Sequence, residues 1–216
     1  DSIVFRFGER VDPDGSLSPL TTVCGQIKEK GMGGVGAPDI AWQTDTYILK
    51  DENPVWFQPE FTFHTFRYME VSGISAQPAL SDISGLALST AVQADNNFYS
   101  SSDLLNSIQD ATQRTFRSNL MSVQSDCAAR EKFGYGGDLN ATSESFIYNF
   151  DMKSFYRKTV YDWVDAINDS IFVDTAPFVG IQYCGLSWES AFLTTQYYLL
   201  LYYDDQELVK EMYEFN

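Results

Sequence analysis

Asp126-Cys127-Ala128-Ala129-Arg130-Glu131-Lys132-Phe133-Gly134-Tyr135-Gly136-Gly137-Asp138 decides how this chain is read. The stretch sets three carboxylates, an arginine and aromatic rings among glycines. A packed core has no use for that mixture. A pocket that holds and protonates a sugar does, because carboxylates bind hydroxyls and give up protons while rings cover the apolar face of a pyranose. Such chemistry needs one carboxyl kept protonated near neutral pH and a second carboxylate that attacks or activates water. Glu131 has a cation on each side in sequence, Arg130 and Lys132. Gly134, Gly136 and Gly137 let the backbone turn sharply and approach a ligand. Tyr135 offers a ring to stack or a hydroxyl to donate. Taken alone, the same residues also describe an acidic, glycine-rich solvated loop.

The pattern on either side is of two kinds. Before about residue 92 it reads as β. Ile3 to Phe7 is a strand, Asp12-Pro13-Asp14-Gly15 a turn, Thr44 to Leu49 a strand. Phe61 to Val71 alternates large apolar with polar residues, the period of a half-buried strand, and Leu86 to Ala91 closes the sheet. Gly31 to Pro38 is glycine-rich but lacks a phosphate-binding lysine, so it reads as a surface loop. Short strands separated by turns imply a sandwich. From Ser101 the period becomes helical. Ser102 caps a helix on which Leu104, Ile108 and Ala111 share a face. Further helices are expected over Ala141–Tyr148, Met152–Ile167, Ser190–Tyr203 and Asp205–Tyr213. The expected domains are therefore 1–91, a β-sandwich, and 92–216, a helical domain of barrel or bundle type with its chemistry in the loops.

Composition narrows the classes. The 216 residues are 44% hydrophobic, ample for a core. A formal charge of −16 excludes nucleic acid as the partner, since a polyanion would be repelled. No run approaches the roughly 18 apolar residues of a membrane span. Cys24, Cys127 and Cys184 show neither C-x-x-C pairing nor a zinc pattern, so no metal or cofactor is expected and at least one thiol stays free. His64 stands alone among aromatics and reads as a packed residue. Two sequons occur, Asn140-Ala141-Thr142 and Asn168-Asp169-Ser170. Asp1 opens without a signal peptide inside a strand, and both ends read as cut from a longer protein.

The segment 126–138 resembles the active-site signature of the inverting α-L-rhamnosidases of glycoside hydrolase family 78, a pattern like Asp-Cys-Pro-x-Arg-Glu-Lys-x-Gly-Trp/Tyr-x-Gly-Asp. Asp126, Cys127, Arg130, Glu131, Lys132, Gly134, Tyr135, Gly137 and Asp138 match in register. Arg117 to Val123 resembles the lead-in, and Tyr148 to Met152 with Phe155-Tyr156 the following helix. Asp174-Thr175-Ala176-Pro177 is similar to a Pro-Asp-x-Ala-Pro loop, and Trp188-Glu189-Ser190-Ala191 to a Trp-Gly-Asp/Gly-Ala segment. Val11 to Leu17, Gln43 to Lys50 and Pro59 to Val71 resemble the β-sandwich ahead of that family's barrel.

The resemblance implies a β-sandwich followed by the first part of an (α/α)6 barrel, and an enzyme that removes terminal α-L-rhamnose from glycosides or polysaccharides; the acidic surface suits a secreted, extracellular or periplasmic protein. It implies Glu131 as general acid and Asp126, Arg130, Tyr135, Asp138 and Trp188 as sugar-binding residues. It places the general base in a later helix, beyond this chain. Three positions depart: Ala128 replaces proline, and Glu189 and Ser190 replace the usual small or acidic pair. These departures leave a second expectation, an inactive relative that binds sugar without turnover.

Overall fold

The structure is a computed structural model that describes residues 1–18, 43–51, 53–94, 97–167, 172–181 and 184–215. The chain divides into two compact units. One is Asp1–Leu88 with Ala128–Glu131, the other Ser89–Cys127 with Lys132–Asn216.

The first unit is a β unit. Strands β1 (Ser2–Gly8), β2 (Thr44–Ile48) and β3 (Tyr68–Ser72) form an antiparallel sheet in the order β2-β1-β3. β1 is central, with Phe5 opposite Asp45 on one side and Val71 on the other. Alternation sends Phe5 and Phe7 to one face of β1. There Phe5 meets Phe57 at 5.4 Å between ring centroids, and Phe7 stacks on His64 at 4.4 Å. On the other face Arg6 and its cross-strand neighbour Glu70 pair at 3.1 Å.

Two strand expectations fail. Within Phe61–Val71 only the part from Tyr68 is strand, and 86–91 contains none. The alternating large residues of 61–67 are used for packing without pairing: His64 and Phe66 lie against Phe7 from irregular backbone. Segment 86–91 is tied instead at Thr90, whose N–H donates to the Leu120 carbonyl at 2.6 Å. Among the described residues the β unit is one three-stranded sheet. The glycine-rich stretch 31–38, Cys24 and the second sequon lie outside the described residues.

The second unit is helical. α1 (Asp103–Ser118) starts at Ser102, whose hydroxyl accepts from the Leu105 N–H. A two-residue ribbon, β4 (Leu120–Met121) with β5 (Val123–Gln124), follows. Then come α2 (Gly136–Ile147), α3 (Lys153–Ala166), the single turn α4 (Leu186–Glu189), α5 (Ala191–Tyr203) and α6 (Gln206–Glu211). α5 packs on α2 and α3. Phe146, Phe150, Tyr156, Trp163, Phe192 and Leu199 are fully buried between them. The expected apolar stripe of α1 is not its buried face. Leu104 and Ile108 are exposed, and the helix is anchored by Phe116, which stacks on Phe146 at 3.9 Å. Among the described residues no helix is long and apolar enough to cross a membrane.

Candidate active site

The signature residues are held first by backbone. Asp126 N–H donates to the Phe133 carbonyl at 3.0 Å, and Phe133 N–H returns a bond to Asp126 Oδ1 at 3.0 Å. This reciprocal pair ties together the two ends of the loop 127–132. One oxygen of Asp126 is thereby committed to its own loop. Beyond it, Gly134 and Gly136 pair with a buried segment. Ala176 N–H donates to Gly134 O at 3.0 Å, Gly136 N–H to Asp174 O at 2.9 Å, and Tyr135 bridges Thr175 between them.

α2 begins at Gly136, five residues before the expected start at Ala141. Glycine is a poor helix former, which hides the first turn from sequence. The glycines are there for packing. A methyl on Gly134 would meet Ala176 O at 2.3 Å, one on Gly136 would meet Trp188 O at 2.0 Å, and one on Gly137 would meet Trp188 Cε2 at 2.4 Å. These glycines allow close approach of the protein's own chain. Asn140 secures the same contact. Its side-chain nitrogen donates to Ser187 O and to Ser190 Oγ, the latter at 3.1 Å. That nitrogen is the acceptor atom of the first sequon, and it is already engaged.

Asp138 sits in the first turn of α2, directly after the glycine pair that Trp188 covers. Its carbonyl accepts from Thr142 Oγ1 at 2.6 Å, Thr142 accepts from Gln124 Nε2 at 2.7 Å, and Gln124 Oε1 accepts from the Tyr156 hydroxyl at 2.9 Å. Tyr156 is buried, and burial pushes its phenol well above its ordinary value, so it serves as a neutral donor. This relay of side chains fixes the first turn of α2 to the core.

Asp126, Tyr135, Asp138 and Trp188 all belong to the second unit, whereas Arg130 and Glu131 group with the first. Within its own unit Arg130 is exposed and Glu131 half-buried. In the second unit Asp126, Asp138 and Trp188 are half-buried. Tyr135 is only 4% exposed and its ring lies 5.9 Å from that of Phe133. Below it, a cavity of about 10 Å³ touches Val123, Leu139 and Ala176. That is room for about one water and excludes a sugar. Among the described residues no group of three or more His, Cys, Asp or Glu side chains could hold a metal. Cys127 and Cys184 form no disulfide with each other.

One acid was not singled out from sequence. Asp174 is fully buried beside the segment 134–136, with the amide and thiol of Cys184 facing its carboxylate. Burial raises its carboxyl above the usual aspartate value. The amide and thiol of Cys184 pull the other way, and the charge of Glu189 adds to the rise. The only sequence signal was its place in the Asp-Thr-Ala-Pro loop, which says nothing of burial.

Two family models match the chain. Residues 93–215 fit the bacterial alpha-L-rhamnosidase 6 hairpin glycosidase domain, and residues 1–89 the bacterial alpha-L-rhamnosidase concanavalin-like domain. An alpha-L-rhamnosidase of Formosa agariphila is 30% identical over 195 residues, covering 85% of this chain and 20% of the relative. A solved alpha-L-rhamnosidase from Dictyoglumus thermophilum is 33% identical with a TM-score of 0.82, over 99% of this chain and 23% of that one. The Streptomyces avermitilis alpha-L-rhamnosidase, solved in complex with L-rhamnose, is 28% identical with a TM-score of 0.80, over 97% of this chain and 19% of that one. This chain thus spans about a fifth of the length of the curated relatives it matches.

Proposed function

We propose that this chain, which belongs to the bacterial alpha-L-rhamnosidase family, forms part of an inverting glycoside hydrolase that releases terminal α-L-rhamnose. The observation that carries the reading is the register of Asp126, Glu131 and Asp138 within a chain that matches two successive rhamnosidase domains. In this reading residues 1–91 belong to a β-sandwich and 92–216 to the opening helices of an (α/α)6 barrel. The enzyme acts outside the cell on rhamnose-containing oligosaccharides or glycosides.

Glu131 delivers its proton to the glycosidic oxygen as the C1–O bond breaks. Water attacks C1 from the opposite face and loses its proton to a carboxylate base, which this reading places in a later helix of the barrel. Positive charge grows at the anomeric carbon, and Asp126 and Asp138 stabilise it electrostatically while binding hydroxyls. Arg130 binds sugar oxygens. Half-buried Trp188 and nearly covered Tyr135 are the aromatic walls of the sugar site in this reading.

The test is hydrolysis of p-nitrophenyl α-L-rhamnoside by the full-length protein, with the first-formed anomer followed by NMR. Inversion is expected, and on a rhamnosyl disaccharide, whose sugar leaving group needs protonation, Glu131→Gln should lower turnover by about 10²-fold or more with rhamnose still bound. Binding without hydrolysis in the parent protein would support an inactive sugar-binding relative instead, and near-parental turnover of the disaccharide by Glu131→Gln would remove Glu131 from the acid role.

A further inference from the structure

On the second unit, a groove of about 480 Å³ runs between α1 and the end of α2. That size falls in the range of small-molecule sites, about 300–1,000 Å³. On a chain with a formal charge of −16, its lining among the described residues contains no charged side chain. It has two half-open rings, Phe98 at 52% exposure and Tyr148 at 54%. Between them are the amides of Gln109 and Asn149 and the hydroxyls of Thr112 and Ser145.

These groups are fixed before any ligand arrives. Asn149 is 7% exposed. Its Oδ1 accepts from Gln109 and, at 3.2 Å, from Gln113, and its Nδ2 donates to Ser145 O at 2.8 Å. Three bonds set the orientation of this amide and leave its second Nδ2 hydrogen to be offered. Thr112 donates its hydroxyl proton to Ile108 O at 2.9 Å, so its oxygen presents lone pairs. The Tyr148 hydroxyl is held by Glu144 and Tyr202, and Tyr202 meets the ring edge-on at 5.9 Å. The Tyr148 ring is therefore a fixed platform whose polar end is already occupied.

We propose that this groove is a second saccharide site, which holds a neutral glycan chain and is lined by none of the residues assigned to catalysis. Apolar C–H faces of pyranoses stack on Phe98 and Tyr148, and hydroxyls exchange bonds with the amides and hydroxyls between. Among the described residues no charged side chain lines the groove to meet a charged ligand. A peptide would need a strand edge, an apolar groove or a charge cluster, and a wall of two helices lined by amides offers none of them. Only the choice of sugar rests on the rhamnosidase reading.

The experiment uses the full-length protein with rhamnohexaose and, separately, p-nitrophenyl α-L-rhamnoside. Phe98→Ala and Tyr148→Ala are expected to raise KM for rhamnohexaose by roughly three- to tenfold, with kcat and the aryl rhamnoside kinetics unchanged. In the Glu131→Gln background, calorimetric titration with rhamnohexaose should show one binding event fewer in the groove variants. Thr112→Lys, which blocks the groove from an exposed helix surface, should act alike and guards against a folding defect. Equal rhamnohexaose binding in parent and variants overturns the proposal, as does a parallel rise in KM for both substrates. If neither substrate is hydrolysed by the parent, the rhamnosidase reading fails, and the titration still decides the groove.

Discussion

The indole of Trp188 lies against the α-carbon of Gly137, so closely that a methyl there would stand 2.4 Å from Cε2. The next residue is Asp138, so the contact sets where that carboxylate leaves the first turn of α2. Alanine in place of a helical glycine ordinarily stabilises by about 1 kcal/mol. Here overpacking opposes it at about 1–3 kcal/mol, because the obstacle is a ring held by its own turn. Gly137→Ala is therefore expected to lower the melting temperature and to weaken rhamnose binding together. A rise in melting temperature would mean that the indole moves aside freely.

Asp205 does two jobs at the start of α6. Oδ1 accepts from the Leu208 N–H at 3.3 Å as helix cap, and both oxygens bind Arg157 Nη1, at 2.6 and 2.8 Å. Its side chain is 3% exposed against 26% for Arg157, whose guanidinium is held above its ordinary value chiefly by these bonds. Asp205→Asn keeps the cap acceptor and loses the charge, a cost of about 1–2 kcal/mol. Asp205→Ala also loses the cap, worth about 1 kcal/mol more. Urea denaturation should rank parent, Asn and Ala in that order. Equal midpoints for Asn and Ala would show that the cap contributes nothing.

The change from β to helical character, the Ser102 cap and the spans of α3 and α5 were legible because they are local. Capping chemistry and a 3.6-residue period need only neighbours in sequence. What failed depended on distant residues. Gly136 and Gly137 read as loop until Trp188 supplies the reason for glycine in a helix. The alternation of 61–67 gave the strand signal, yet His64 and Phe66 use it to reach Phe7. Leu104 and Ile108 keep a helical spacing but face outward, since spacing states which residues share a face and not what that face meets. Asp126, Glu131 and Asp138 were singled out through chemistry and register, whereas the burial of Asp174 has no local signature.

Tyr156 is the deepest member of the relay beneath Asp138. Its hydroxyl donates to Gln124 Oε1 at 2.9 Å, and Gln124 in turn donates to Thr142. Tyr156→Phe removes only an oxygen but strands a buried amide acceptor, at about 1–3 kcal/mol. The expected result is a lower denaturation midpoint with rhamnose affinity reduced less than in Gly137→Ala, since the backbone pairing of 134–136 with 174–176 survives. An unchanged midpoint would show that water replaces the phenol.

Asp174 couples this site to pH. Its folded carboxyl is raised above 3.8, chiefly by burial. In the window between the unfolded and folded values the unfolded chain releases its proton first. The folded state then holds more protons, and stability falls as pH rises through that window. The destabilisation is complete above the folded value and absent below the unfolded one. Asp174→Asn keeps the shape without the ionisation, so its stability relative to the parent should improve as pH climbs from about 4 through the window and then level off. Denaturation midpoints measured across that range decide it. A parent-minus-variant difference that stays flat, or that runs the other way, would show that the carboxyl is already ionised and paired in the folded protein.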